Sequence, residues 1–312
     1  MIWHFLGFIG FALSLFAAPR PNIVFILADD LGFGDVGANN PESKIPTPNL
    51  DQMAADGMRF TDAHTGSAMC SPTRYGLMTG RYAWRTRLKK MVLPHFAKPL
   101  IDEERMTLAS LLKSHGYATA VIGKWHLGLG WQAEGDEVNK ETINFSQPLS
   151  DGPHTVGFDY SFIIPASLDM PPYCYIEDGM VVEEPSEEID GRERPEFWRG
   201  GACAPGFMHE TCLLELTIRA EGFINQHAKE NGDKPFFLYL PAPSPHTPHF
   251  SRERFAGRSQ AGEYGDYAVE HDWSIGRIVN AVKRNGLAED TLIIVTSDNG
   301  CHTEPIGLEE KY

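Results

Sequence analysis

Four times along this chain an apolar run ends in a cluster of polar residues. Residues 22–28 (NIVFILA) lead into Asp29-Asp30, and residues 118–122 into Gly123-Lys124. Residues 235–240 lead into a proline-rich loop, and residues 291–296 into Ser297-Asp298-Asn299. A short continuous apolar run, without alternation, is the pattern of a central parallel strand covered on both faces. Helical patterns separate the runs. One spans 47–56 and stops at Gly57; another spans 107–115, with Leu108, Leu111 and Leu112 on one face and Gly116 behind it. Two longer ones, 212–229 and 267–284, are each closed by Asn-Gly. Strands alternating with helices predict an α/β fold with a doubly wound, mostly parallel sheet flanked by helices. Ligands of such sheets bind beyond the carboxyl ends of the strands, where the polar clusters sit.

Composition narrows the function classes. At 312 residues, 42% hydrophobic and 22% charged, the chain is not a disordered, collagenous or coiled-coil sequence. Its 42 acidic against 27 basic residues give a net charge of −15, which argues against nucleic acid or anionic lipid as a partner while leaving room for a local basic pocket. Residues 2–18 are almost wholly apolar and end at Pro19-Arg20-Pro21, short for a membrane span. Residues 1–18 are therefore expected to be a signal peptide cut near Ala17 or Ala18, with an uncleaved anchor helix as the rival, and the protein to be exported, periplasmic or secreted. Cys70, Cys174, Cys203, Cys212 and Cys301 show no zinc-like spacing, and their odd number leaves at least one thiol unpaired. Beyond Cys70 they read equally as disulfides or buried thiols. The segments 131–154 and 180–205 read as surface insertions, the second carrying an acidic run and then Arg192, Arg194 and Arg199.

Asp29, Asp30, Asp298 and Asn299 are hard oxygen donors at matching strand ends, a set suited to Ca²⁺ or Mg²⁺. Asp35, in a glycine-flanked turn, and His271 with Asp272, in a helical pattern, read as structural. Cys70 opens Cys70-Ser71-Pro72-Thr73-Arg74 ahead of a helical run, where a helix amino terminus favours an anionic group.

These motifs give the chain its resemblance to the sulfatase family. The Cys-x-Pro-Ser/Thr-Arg signature at 70–74 is followed by Leu77-Met78-Thr79-Gly80-Arg81. A second signature, GYATAVIGKWHLG, occupies 116–128; the opening strand and Asp-Asp turn lie at 22–34, and a histidine segment, SPHTPH, at 244–249. The resemblance covers about residues 21–301. It implies an alkaline phosphatase-like fold and hydrolysis of sulfate esters, most readily on a sulfated carbohydrate. It implies that Cys70 is oxidised to formylglycine by a formylglycine-generating or sulfatase-maturing enzyme, and that the gem-diol of the hydrated aldehyde attacks sulfur. By the same resemblance Arg74 holds the diol, Lys124 contacts sulfate, His126 takes the proton that triggers sulfate release, and His246 contacts sulfate or protonates the leaving alcohol. Asp29, Asp30, Cys70, Asp298 and Asn299 bind the metal, with Ca²⁺ the family precedent and Mg²⁺ an alternative. His249 and His302 are left as possible neighbours of the pocket. Sulfatases usually continue into a smaller C-terminal subdomain and carry a further active-site lysine after the Asp-Asn-Gly turn. The context of Lys311 does not match that motif, so residues 19–312 read as a C-terminally truncated catalytic domain with an exposed sheet edge. The rival functions are a phosphonate or phosphodiester hydrolase of the same superfamily and a non-catalytic protein that binds sulfated glycans.

Overall fold

The computed structural model describes residues 20–302 except 136, 194–196 and 233. The expected signal peptide at 1–18, Arg194 and Lys311 lie outside the described residues. In chain order the elements are β1 (Asn22–Asp29), α1 (Pro48–Asp56), α2 (Cys70–Thr79), α3 (Leu108–Ser114), β2 (Ala118–Lys124), β3 (Tyr160–Ile164), β4 (Ile176–Glu177), β5 (Met180–Val181), β6 (Glu187–Ile189), β7 (Gly201–Cys203), α4 (His209–Glu230), β8 (Phe236–Pro245), α5 (Gly262–Arg284) and β9 (Thr291–Ser297). The main sheet has the order β5-β4-β3-β2-β8-β1-β9. Strands β1, β2, β3, β8 and β9 pair in parallel, while β4 and β5 add an antiparallel margin. Strands β6 and β7 form a separate antiparallel pair.

The four apolar runs thus become β1, β2, β8 and β9. The middle of the sheet is the driest part: every residue of β8 is buried, as are Val24, Ile26, Leu27 and Ala28 of β1. Helices α4 and α5 pack on each other and on β8, and α3 packs against β2 and α2. Strand β9 closes the sheet order with its outer edge unpaired among the described residues, and Leu292 there is half exposed. Among the described residues no helix is long and apolar enough to cross a membrane.

The structure departs from the sequence expectations in several places. Strand β8 continues through the proline-rich stretch to Pro245. Its register with β2 ends at Val121 opposite Tyr239, so the prolines beyond cost no ladder hydrogen bond on that side. Helices α4 and α5 begin at His209 and Gly262, ahead of the expected 212 and 267. The start of α5 is fixed by Asp266, which accepts the backbone N–H of Gly257 and of Ser259, each at 2.7 Å. The two insertions are not simple surface loops. Trp131, Ile143, Phe145 and Leu149 of the first join the main core, as do Cys203 and Ala204 of the second. None of the five cysteines is paired in a disulfide.

One glycine holds β2 against β8. Gly123 has φ +144°, and a Cβ there would lie 2.1 Å from the Pro241 carbonyl oxygen, a backbone atom that cannot step aside. Gly123→Ala is expected to cost about 3 kcal/mol of stability through backbone strain and overpacking. Urea unfolding checks this; a loss below about 1 kcal/mol would contradict it.

Candidate active site

The site is built where β1, β2, β8 and β9 end. Parallel pairing of β1 with β9 sets Ala28 opposite Ser297, so Asp29-Asp30 and Asp298-Asn299 leave the sheet side by side. Cross-links lock this arrangement. The Asp298 N–H donates to the Ala28 carbonyl at 3.0 Å, the Asp30 N–H to Asp298 Oδ1 at 3.2 Å, and the Asn299 amide to Asp30 Oδ1. Asp30 (φ 63°) and His126 (φ 52°) both adopt the left-handed backbone conformation, which turns the chain sharply at the strand ends. Tyr264 Oη lies beside the first turn, 3.0 Å from the Asp30 carbonyl oxygen.

Cys70 is the first residue of α2 and is buried. Met69 precedes it in an extended conformation without a side-chain cap, so the free N–H groups of the first turn are available to an anion. One turn on, Arg74 is fully buried. Its Nη2 lies 2.9 Å from Asp298 Oδ2 and 3.5 Å from Asp29 Oδ2, and Nη1 donates to the Lys124 carbonyl at 2.9 Å. Lys124 Nζ contacts Asp29 Oδ2 and donates to Ser167 Oγ at 2.9 Å. Ser167 Oγ in turn lies 3.5 Å from His246 Nδ1, and His246 Nε2 lies 3.7 Å from Asp30 Oδ2. Ligand atoms of Asp29, Cys70 and His246 all fall within 4.8 Å of one another, and so do those of Asp29, Asp30 and Asp298.

The electrostatics follow from two cations and three carboxylates packed away from water. Burial opposes the charge on Asp29, but Lys124, His246 and Arg74 override it and hold the carboxyl well below its ordinary range. Asp298 is pushed the other way by its own burial and by the charge of Asp29. Burial lowers both Arg74 and Lys124, yet the two aspartates outweigh it and keep both side chains charged. The Cys70 thiol is pushed up to about 12, chiefly by burial, so the unmodified side chain is a poor nucleophile.

The histidines are placed differently. His126 is buried, and its pKa falls to about 3 through burial and the nearby Lys124, so the ring is neutral. Its Nε2 lies 2.9 Å from the Leu93 carbonyl, which can only accept; the ring proton therefore sits on Nε2, and Nδ1 keeps an unpartnered lone pair. His246 directs Nδ1 at the Thr247 carbonyl, 2.6 Å away, leaving Nε2 on the Asp30 side. His249 packs edge-on against Tyr264 at 5.6 Å, and burial holds it neutral. Asp35 accepts the Gly32 N–H at 2.8 Å and the Tyr264 hydroxyl, a turn-holding role. Asp272 caps α1 through the N–H groups of Asn49 and Leu50, and His271 meets Ser244 Oγ at 2.7 Å.

The sequence reading missed Ser167 as a bridge between Lys124 and His246. A lone serine after a five-residue strand carries no motif, and only the β2–β3 register brings it there: Lys124 lies opposite Ile164, three residues before it.

The oxygen donors fit a divalent cation. Asp29 Oδ1 and Asn299 Oδ1 are buried without a hydrogen-bond partner, and a hard cation would satisfy both. Calcium at a hundredfold excess over its Kd is expected to stabilise the protein by about 2.7 kcal/mol, and Asp298→Asn to remove most of that gain. Thermal melts with and without chelator check this; equal curves would contradict it.

The sulfatase family model matches residues 21–312. The chain belongs to the sulfatase family. This sulfatase chain is 35% identical to an N-acetylgalactosamine-6-O-sulfatase of Bacteroides thetaiotaomicron, over 91% of the chain and 59% of the relative. It is also 35% identical to human arylsulfatase A, over 94% of the chain and 54% of the relative. It therefore spans little more than half the length of these curated relatives. Among solved structures, a B. thetaiotaomicron sulfatase from work on the metabolism of multiple glycosaminoglycans superposes with a TM-score of 0.78 at 34% identity, covering 91% of this chain and 63% of that one. A phosphonate monoester hydrolase of Agrobacterium radiobacter, at 21% identity and a TM-score of 0.56, shares the fold.

Proposed function

We propose that this chain is the catalytic part, residues 19–312, of an exported enzyme that hydrolyses sulfate esters on sulfated carbohydrates. The observation that carries this reading is Cys70. It stands at the open amino end of α2, within 4.8 Å of Asp29 and His246, with Arg74 and Lys124 buried against the same carboxylates. Relatives named as sulfatases at 35% identity support sulfate over phosphonate chemistry. The name of the Bacteroides relative supports an amino-sugar sulfate as substrate class.

Asp29, Asp30, Asp298 and Asn299, with the side chain at position 70, would hold Ca²⁺. When bound, the cation supplies Lewis acidity to the sulfate and nucleophile oxygens, and position 70, matured to formylglycine by a dedicated enzyme, supplies the hydrated aldehyde as nucleophile. Arg74 orients that hydrate and, with Lys124, compensates the negative charge of the sulfate ester. His246, with Nδ1–H turned to the Thr247 carbonyl, delivers a second proton, carried on Nε2, to the departing alcohol oxygen. Burial and Lys124 oppose that charged form, but Asp29, Asp30 and Asp169 favour it and prevail. His126 Nδ1, neutral and unpartnered, accepts the hydroxyl proton whose loss releases sulfate and restores the aldehyde. The cations stay charged because Asp29, beside both of them, is held well below its ordinary range.

Paired aryl substrates test the reading. Matured protein should turn over the aryl sulfate faster than the matching aryl phosphate. Faster phosphate turnover, or sulfated-glycan binding without sulfate release, would overturn it.

A further inference from the structure

We propose that the segment 81–90, at the end of α2, is a docking surface for the chain of a sulfated polysaccharide, separate from the Cys70 site. The proposal rests on the reading that the substrate is a sulfated carbohydrate. The chain holds 42 acidic residues, yet none lies between Asp62 and Asp102. Within that gap Arg81, Arg85, Arg87, Lys89 and Lys90 follow one another, and all but Arg81 are exposed. None of them takes part in an ion pair among the described residues. In a protein of net charge −15, a cluster of cations left without carboxylates is a local inversion of the surface field.

The surface is also shaped. Tyr82 and Trp84 are 54% and 56% exposed, and their rings stack at 5.8 Å with 16° between planes. The Arg85 guanidinium lies over the Trp84 ring at 5.3 Å. Buried Ala83 anchors the turn, and its carbonyl accepts both the N–H and the hydroxyl of Thr86, at 2.8 and 2.6 Å. Arg87 donates to the carbonyls of Lys98 and Pro99, and Lys89 Nζ to the Trp84 carbonyl at 2.9 Å. The platform is thus held by its own hydrogen bonds. Three residues past Lys90, Leu93 touches the site, its N–H donating to Ser71 Oγ and its carbonyl accepting from His126. Three extended residues span at most about 10 Å, so a polymer seated on the platform lies close to the reaction centre.

The chemistry selects the partner. The half-exposed Tyr82 and Trp84 rings suit the C–H faces of pyranose rings, and the flanking cations suit sulfates repeating along a flexible chain. A long stiff nucleic acid or an anionic membrane would press its charge against the acidic remainder of the protein.

The test uses the full chain, matured at Cys70, with chondroitin sulfate, double-stranded DNA and phosphatidylserine vesicles as probes. Arg85→Ser combined with Lys90→Ser should weaken chondroitin sulfate binding about tenfold at low salt and flatten the slope of log Kd against log salt by about one to two units. Trp84→Ala should weaken binding without changing that slope. Both variants should leave kcat/KM on a small aryl sulfate unchanged. Unaltered chondroitin sulfate binding in both variants, or tighter binding of DNA or vesicles than of the glycan, would overturn the proposal. If the matured wild type binds the glycan in this variant-dependent way but turns over no aryl sulfate, the docking surface stands and the activity reading falls.

Discussion

Cys70→Ala is expected to lower sulfate ester turnover by at least ~10³-fold while leaving the fold intact. The thiol is buried and, among the described residues, no hydrogen bond to it holds α2 in place, so its loss should cost only about 1 kcal/mol of stability. The loss of rate belongs to the nucleophile. Unmodified Cys70 has its pKa pushed up to about 12 by burial, so a plain thiol would also be inert at neutral pH. Cys70→Ser separates the two halves of the reaction. A single hydroxyl can attack sulfur, but it lacks the second hydroxyl whose deprotonation releases sulfate. About one equivalent of alcohol per chain, and then arrest, is the expected time course. Steady multiple turnover by either variant would show that position 70 is not the nucleophile.

Arg74→Met is expected to produce the largest stability loss, about 3–5 kcal/mol in protein stripped of divalent cations. Arg74 is fully buried between Asp298 and Asp29, and Lys124 alone would be left to face both carboxylates. Removing one member of such a cluster leaves charge in a site that water cannot reach. Calcium should recover part of the loss, because the same carboxylates would hold it. The control is Arg219→Met. Arg219 is partly exposed, pairs with Glu215 at 3.0 Å and Glu177 at 3.3 Å, and lies over the Phe162 ring, so its loss should cost about 1 kcal/mol. Urea unfolding of the two variants measures both, and an Arg74 effect no larger than the Arg219 effect would contradict this picture of the site.

The parts of the fold that could be read from the sequence are those where burial writes a simple pattern. Strands β1 and β9 are continuous apolar runs that stop at carboxylates, and the structure sets those carboxylates side by side through one parallel register. The bridging place of Ser167 and the buried parts of the insertions were not legible for the opposite reason. Trp131, Ile143, Phe145 and Leu149 are buried at irregular intervals inside polar sequence, so no period of two or 3.6 marks them. Strand β3 is five residues long and gives too little pattern to stand out. The prolines of β8 read as a loop because proline donates nothing to a ladder, whereas the ladder with β2 ends at Tyr239 and the strand runs on along β1, opposite which lie Pro241 and Pro245. The candidate site was legible as residues and not as geometry. Nothing in the order of His126 and His246 shows that one ring sends its proton to the Leu93 carbonyl and the other to the Thr247 carbonyl. Those two contacts decide which nitrogen of each ring is left for chemistry.

The most direct measurement is the mass of one tryptic peptide from protein made in its native host or with a formylglycine-generating enzyme. Cleavage after Arg59 and Arg74 releases residues 60–74, in which Cys70 is the only cysteine. A peptide that has lost its sulfur and carries the aldehyde or its hydrate at position 70 is the predicted result. A peptide that still carries the thiol under those conditions would contradict the account, because the nucleophile on which the site is organised would not exist.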